Sequence, residues 1–472
     1  MKMVYGVSDR PKFGQLIIFS LQQLLAIMTA TLVVPVIVNG GNEALAAEHP
    51  MSTAAALFGA GVGTLVYLLF TKFKSPVFVG SAFAFLGSMA AAFAGASTVA
   101  LGYLGLIIGA VFAGLVYVLI AVMVKLVGVN WINKLMPAVV IGPTVAIIGL
   151  SLAGNAVGDL KTANAGGSPL IAVLCGLVTL LVTVLCSTYG KKLGKLIPFI
   201  FGILAGYAVS SIFTVIGNAT GCEALKVVNF AVFENLLENG SVVLRTFVDV
   251  PDFTFLTAFG AFNELSASYI GTIAVAYVPV AFVVFAEHLA DHKNISSIIE
   301  TDLLKNPGLH RTLLGDGVGS MVGAFFGGCP NTTYGESVGC VAITRNASIF
   351  TILGAAVGAI IASFLSPFIV FVNSIPSCVM GGVCMALYGF IAVSGLKMIQ
   401  DVNLNENKNL FVVSTILIAG VGGLTLSFGK ITITSIAAAL ILGILVNLIV
   451  KKSPSEQQEA SETQSEKTPV TK

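Results

Sequence analysis

The chain has 472 residues, 56% hydrophobic and only 10% charged, with a mean hydropathy of +0.97. A soluble globular chain carries about 25% charged residues, so a soluble enzyme or binding domain is excluded; repeated apolar runs of about 17–25 residues fit helices crossing a hydrocarbon core. The formal charge of +2 gives no reason to expect a nucleic-acid partner, because in a polytopic membrane protein the distribution of charge between loops is what matters.

Taken in chain order, the apolar runs predict about fourteen spans. The first half gives 14–38, 52–71, 78–94, 100–126, 133–154, 168–188 and 193–217; the second gives 267–291, 312–329, 331–347, 348–372, 376–399, 409–429 and 431–450. No separate short apolar region with a cleavage site precedes the first run, which is therefore expected to be a retained span. With the N-terminus cytoplasmic, only Lys161, Lys226, Arg245 and Lys430 among the lysines and arginines fall outside. That bias supports an even number of spans and cytoplasmic termini. The acidic segment 218–266 then forms an extracellular loop, and the tail 453–472, rich in Ser, Glu, Gln, Thr and Lys, is expected to be disordered in the cytoplasm.

The cysteines (175, 186, 222, 329, 340, 378 and 384) lack metal-ligand spacing, and all but Cys222 lie in or beside apolar runs. Neither a metal centre nor a disulfide framework is expected. No GxxxxGK[ST] loop and no nucleophile–base pattern is present, so no cofactor and no catalytic residues are expected. The 51 glycines read as sites of close helix packing.

Charge inside the spans is the functional signal. In GGCPNTTYGESVGCVAITR (327–345), Pro330, Asn331, Thr332 and Thr333 favour extended or turned backbone, Gly335 follows, and a short helical run begins near Glu336. Irregular backbone at membrane depth is tolerated only where protein or a water-filled cavity satisfies its polar groups. Glu287, in YVPVAFVVFAEHLAD, is a second carboxylate among apolar residues, and an ionisable residue in a span marks a functional site. His288 and His292 read as interfacial, Arg345 as a positive-inside anchor, and Asp291 as either a solvated charge or a partner four residues along the same face as Glu287.

Span 3 opens Ser75-Pro76-Val77-Phe78-Val79-Gly80-Ser81 and span 10 opens Cys329-Pro330-Asn331-Thr332-Thr333-Tyr334-Gly335. Each has a proline, a strand-compatible stretch, a glycine and then helix formers. Matching interruptions in two halves of seven spans predict two inverted repeats, with short extended strands preceding half-helices in segments 3 and 10. The fold class expected is thus an all-α polytopic membrane protein, its two half-helix N-termini offering free N–H groups to a polar ligand.

The run PNTTYGESVGCVAITR resembles the signature of the nucleobase–ascorbate transporter family, most closely its bacterial uracil-transporting branch. GVSDRP (6–11), LQQLLAIMTATLVVP (21–35), GSAFAF (80–85), AEHLADH (286–292), DLLKNPGLHR (302–311) and VMGGVCMALYG (379–389) extend the resemblance in order over about residues 6–450. It implies a core domain (14–128 and 267–373) and a gate domain (129–217 and 374–450). It also implies a uracil site in which Glu287 and Glu336 hydrogen-bond the base, Phe83 and Gly335 donate backbone N–H groups, and Ala30, Tyr334 and Tyr388 line the pocket. The sequence departs from the family at three points: Ser337 replaces the Asn that usually follows the acid, and Gln23 and Asp291 stand where related chains carry His.

Uracil offers alternating carbonyl acceptors and N–H donors, which suit half-helix amides and carboxylates respectively. Proton uptake removes the cost of a buried carboxylate charge, so Glu287 and Asp291 are the expected proton-coupling residues of a uracil–proton symporter. It is expected in the bacterial inner membrane, in contact with lipid and as a homodimer. A xanthine or urate carrier of the same family, and a sodium-coupled or anion transporter of similar architecture, remain the alternatives.

Overall fold

The computed structural model describes residues 3–450, apart from 129–130, 132–134, 192, 238–240 and 429–430. The tail 453–472 and Lys2, Lys134, Lys192 and Lys430 lie outside the described residues. The main helices are α1 Phe13–Gly40, α2 Thr53–Phe70, α3 Leu86–Ala94, α4 Val99–Val127, α5 Ala138–Ser151, α6 Pro169–Tyr189 and α7 Pro198–Thr220. After a long connection come α8 Ala267–Ile298, α9 Leu309–Gly327, α10 Gly335–Thr344, α11 Ile349–Ser363, α12 Ser377–Met398, α13 Asn407–Val421 and α14 Ser435–Ile449. Among the described residues, eight helices are long and apolar enough to cross a membrane.

The helix starts follow from local chemistry. Ser52, Thr98 and Ser266 accept from the backbone N–H groups of Ala55, Leu101 and Tyr269 at 3.1, 3.2 and 3.2 Å, satisfying amides that a first turn leaves without partners. Pro169 and Pro198 open α6 and α7, where a missing N–H costs nothing. Two groups of helices result: α2 packs on α9 and α11, and α9 on α4, while α12 packs on α5 and α6, and α13 on α14 and α5. The α2–α9 crossing is close because glycines meet there. A Cβ at Gly59 would stand 2.6 Å from the Gly323 carbonyl oxygen, and one at Gly319 would stand 2.9 Å from that of Gly63. Small residues let backbones approach in a lipid medium, where burial of apolar surface gives no drive.

The two interrupted segments meet. Strand β1, Val79–Ser81, pairs antiparallel with β2, Asn331–Thr333, with Val79 opposite Thr333 and Ser81 opposite Asn331. Bonds from Tyr334 N to Phe78 O (3.1 Å) and from Ala82 N to Pro330 O (2.8 Å) close the ladder at both ends. Val79 instead exchanges its amide and carbonyl with the Thr64 hydroxyl of α2, at 3.1 and 3.0 Å. Each strand feeds a helical turn, Phe83–Phe85 leading into α3 and Gly335 opening α10.

One expectation needs correction. The runs 409–429 and 431–450 are not continuous helices: α13 ends at Val421, and β3 Leu426–Phe428 pairs with β4 Ile431–Ile433 before α14 starts. Gly422 and Gly423, the latter at φ +71°, stop the helix, and the β-branched run Ile431-Thr432-Ile433 suits a strand. The chain is predominantly helical, and among the described residues this second two-stranded sheet adds to the β1–β2 pair. Segment 218–266, expected as a loop, carries short helices at Leu244–Phe247 and Thr254–Ala258, with 3₁₀ turns before and after them.

The register has a direct check. Val79 and Thr333 face each other at a non-hydrogen-bonded position, where Cα atoms lie about 4.5 Å apart, within disulfide reach. Cysteines at both positions should oxidise to a bond, read as loss of two alkylatable thiols, whereas cysteines at Phe78 and Asn331 should not. Efficient bonding of the offset pair alone would overturn this register.

Candidate functional site

The strand pair holds the chemistry of the site in place. Tyr334, just before α10, sends its hydroxyl to the Ser81 carbonyl at 2.9 Å and accepts from Thr31 of α1 at 3.3 Å. Its ring lies over Gly80, where a Cβ would come within 2.7 Å, so no other residue fits there without displacing the tyrosine. Asn331 reaches from β2 into the α2–α9 crossing and donates to the Gly59 carbonyl at 3.1 Å. Ser337, in the first turn of α10, accepts from the Phe78 N–H at 2.9 Å and from the Gln23 side chain of α1.

Above this floor lies a cavity of about 340 Å³ between the two helix groups. Glu287 and Asp291 of α8, Glu336 of α10, Phe83, Tyr334 and Gly335 all line it. Its opposite wall comes from Val145 of α5, Pro198, Phe199 and Ile200 of α7, and Phe390 and Ser394 of α12. It extends past Lys195, Asn294 and Ile343, toward the end at which α8 and α10 finish and α7 begins.

Six of the expected site residues are thus brought together, and two are not in the lining. Ala30 is buried on α1, and Tyr388 stands behind Phe83, ring edge to face with centroids 5.8 Å apart. Asp291 is no solvated end charge: its Oδ2 accepts from the Thr333 hydroxyl of β2 at 2.9 Å.

His288 and His292 are not interfacial but fully buried, their rings stacked with centroids 4.0 Å apart. His288 Nδ1 lies 2.7 Å from Asp316 Oδ2 and its Nε2 3.0 Å from the Thr312 hydroxyl; Asp316 Oδ2 also takes a 3.5 Å contact from Thr332, a cavity residue. His292 Nε2 lies 2.7 Å from the Tyr67 hydroxyl, which donates to Ser75 at 2.6 Å. The sequence reading missed Asp316, although the rule that singled out Glu287 applies to it equally: it is a lone acid inside an apolar run. Nothing in the sequence signals its pairing with His288 across the fold.

The arrangement suits a flat polar ligand. Carboxylates of α8 and α10 can accept from its N–H groups, and the first-turn amides of α10, which have no intrahelical acceptor, can donate to its carbonyls. A site of about 340 Å³ falls in the range of small-molecule pockets.

A model described as the permease family matches residues 14–429. The chain belongs to this permease family. It is 37% identical over 456 residues to a uracil permease of Bacillus caldolyticus, covering 96% of each chain, and 36% identical over 469 residues to one of Bacillus subtilis (strain 168), covering 98% of each. A uracil permease of Escherichia coli (strain K12) is 34% identical over 450 residues, with 94% of each covered. Among solved structures, the transmembrane domain of the cyanobacterial bicarbonate transporter BicA aligns with a TM-score of 0.56 at 15% identity, covering 91% of this chain and 96% of that one. Murine Slc26a9, an anion transporter in the inward-facing state, gives 0.59 at 11% identity, covering 94% of this chain and 69% of that one. At these identities the two structures speak to the fold alone.

Ser337 offers a test of the site's floor. Ser337→Ala leaves the buried Phe78 N–H and the Gln23 amide without their common acceptor, at a cost of about 1–3 kcal/mol. The expected result is a lower unfolding temperature of the purified protein, with Ser337→Thr, which keeps the hydroxyl, closer to the parent. Equal melting of the parent and Ser337→Ala would show that this oxygen holds nothing.

Proposed function

We propose that this protein imports uracil by proton symport through alternating access. The observation that carries the reading is the cavity in which Glu287, Asp291 and Glu336 meet Phe83 and Gly335, between two helix groups. Relatives called uracil permeases, 34–37% identical over nearly the whole chain, supply the substrate class. Glu336, at a helix start, accepts from the base, and the Gly335 and Phe83 amides donate to its carbonyls. Ala30 and Tyr388 shape the site from behind its lining. Glu287 and Asp291, one helical turn apart on α8 and open to the cavity, carry the proton.

The architecture completing this reading has fourteen membrane segments in two inverted repeats of seven. The strand-then-half-helix of β1 and α3 corresponds to that of β2 and α10. The core domain comprises 14–128 and 267–373, and the gate domain 129–217 and 374–450. This division follows the two packing groups, α2, α4, α9 and α11 against α5, α6, α12, α13 and α14. Both termini face the cytoplasm of a bacterial inner membrane, and the working unit is a homodimer. The cavity reaches the end bearing Lys195, which is the cytoplasmic side by the distribution of positive charge, so the conformation is inward-facing.

Two measurements in proteoliposomes test this. Uracil uptake should follow an inward proton gradient and collapse with a protonophore; dependence on sodium at constant pH, with no protonophore effect, would sink the coupling. Unlabelled uracil should compete in counterflow far better than xanthine or urate, and the reverse order would move the substrate.

The two glutamates should separate. Glu336→Gln removes a charged acceptor from the base, expected to cost about 1.5–3 kcal/mol, or roughly ten- to a hundred-fold in affinity. Glu287→Gln imitates the protonated acid permanently, so binding and exchange should persist while proton-driven accumulation is lost. Accumulation by Glu287→Gln would transfer the coupling role to Asp291.

A further inference from the structure

Segment 218–266 contributes nothing to the site cavity, yet it is built rather than loose. Phe253 and Phe255 enter a cluster of rings at the ends of α2 and α9: Phe255 stacks on Phe325 with centroids 4.8 Å apart, and Phe253 meets Phe58 edge to face at 4.9 Å. Thr254, Ala258 and Ala261 are buried beneath, against α4. Hydrogen bonds from Asp249 N to Phe364 O (3.0 Å) and from the Ser366 hydroxyl to Arg245 O (2.7 Å) tie the segment to the end of α11.

Its outward face is apolar. Leu244 is 80% exposed, Val250 66% and Leu256 61%, and Phe247, Phe259 and Phe262 are exposed beside them. Several of its charged groups are engaged locally: Arg245 with Asp249 at 2.8 Å, Asp252 with His49 at 3.3 Å, and Glu264 with the hydroxyls of Ser97 and Thr98 at 2.9 Å each. An extracellular loop bathed in water has no reason to present so many large apolar side chains. Contiguous apolar surface of this kind marks a contact with protein or membrane.

We infer that residues 242–262 form a cap seated in the headgroup region of the outer leaflet, with these side chains in the lipid. Continuity favours lipid as the occupant. The segment leaves α7, whose Ile212, Val215 and Ile216 are exposed apolar residues of a membrane-length helix, and enters α8, so both of its ends lie at the bilayer boundary. Short amphipathic elements lie in that zone with the apolar face down and the polar groups toward water. The cap also bears on the site. A Cβ at Gly328, which has φ +70°, would meet Thr254 Oγ1 at 3.0 Å, and Gly328 belongs to the turn that feeds β2. Anchoring in lipid thus holds the outer end of the strand that carries Thr332 and Thr333. The inference needs only that the chain spans a membrane, and not that it carries uracil.

The chain has one tryptophan, Trp131, so single-tryptophan variants are accessible. In a Trp131→Phe background, Leu256→Trp and Phe259→Trp should emit to the blue of free tryptophan in proteoliposomes. Lipids brominated near the headgroup should remove most of that emission, and iodide on both sides little of it. Strong iodide quenching without bromolipid quenching would place the segment in water and overturn the cap. Protection from both quenchers would assign the face to a second copy of the chain, which also overturns it. Should Trp131→Phe impair folding, a spin label at Leu244→Cys with Cys222→Ser gives the same decision. Oxygen access above that of a water-soluble nickel chelate supports lipid, the opposite order supports water, and poor access to both supports a protein contact.

Discussion

Everything in the site depends on satisfying backbone groups where the chain stops being helical inside an apolar protein. Two segments break, and each exposes amides and carbonyls that cannot remain unpaired without a cost of several kcal/mol per group. Pairing the breaks with each other is the economical solution. The β1–β2 ladder satisfies Phe78, Ala82, Pro330 and Tyr334, and Thr64 takes both groups of Val79. What the ladder leaves free are the first-turn amides beyond it, and these stand at the cavity, where a ligand can use them.

Gln23, Asp291 and Ser337 all serve the same scaffold. Gln23 and Ser337 are bonded to each other, and Ser337 also accepts from the Phe78 amide that neighbours the ladder. Asp291 accepts from Thr333, on the strand itself. A Ser beside a Gln, and a carboxylate opposite a threonine, keep β1, β2 and α1 joined. Asp291 therefore joins the cavity-lining helix α8 to the strand as well as standing in the cavity.

Much of this was legible in the chain, for physical reasons. Proline, β-branched residues and glycine in sequence cannot continue a helix, so the two breaks near Gly80 and Gly335 were visible, as were carboxylates among apolar residues at Glu287 and Glu336. The β3–β4 pair was not, because TLSFGKITITS is apolar enough to pass for the end of one span and the start of the next. Periodicity cannot separate a short apolar strand from part of an apolar helix. The His288–Asp316 pair was hidden for another reason. Its partners are 28 residues apart on different helices, and only the α8–α9 arrangement brings them to 2.7 Å.

The two glutamates that line the cavity are held by unlike supports. Glu336 stands at the start of a short helix whose preceding residue, Tyr334, is bonded to both Ser81 and Thr31 of α1. Its position is fixed by the ladder. Glu287 sits within an unbroken 32-residue helix, with Asp291 one turn further and the buried His288–Asp316 pair on its far side. No helix terminus lies beside it, and it opens to the cavity together with Asp291. One carboxylate thus stands at a helix start tied to the strand pair and the other within a long helix, and the strand pair fixes the first while leaving the second to its own helix.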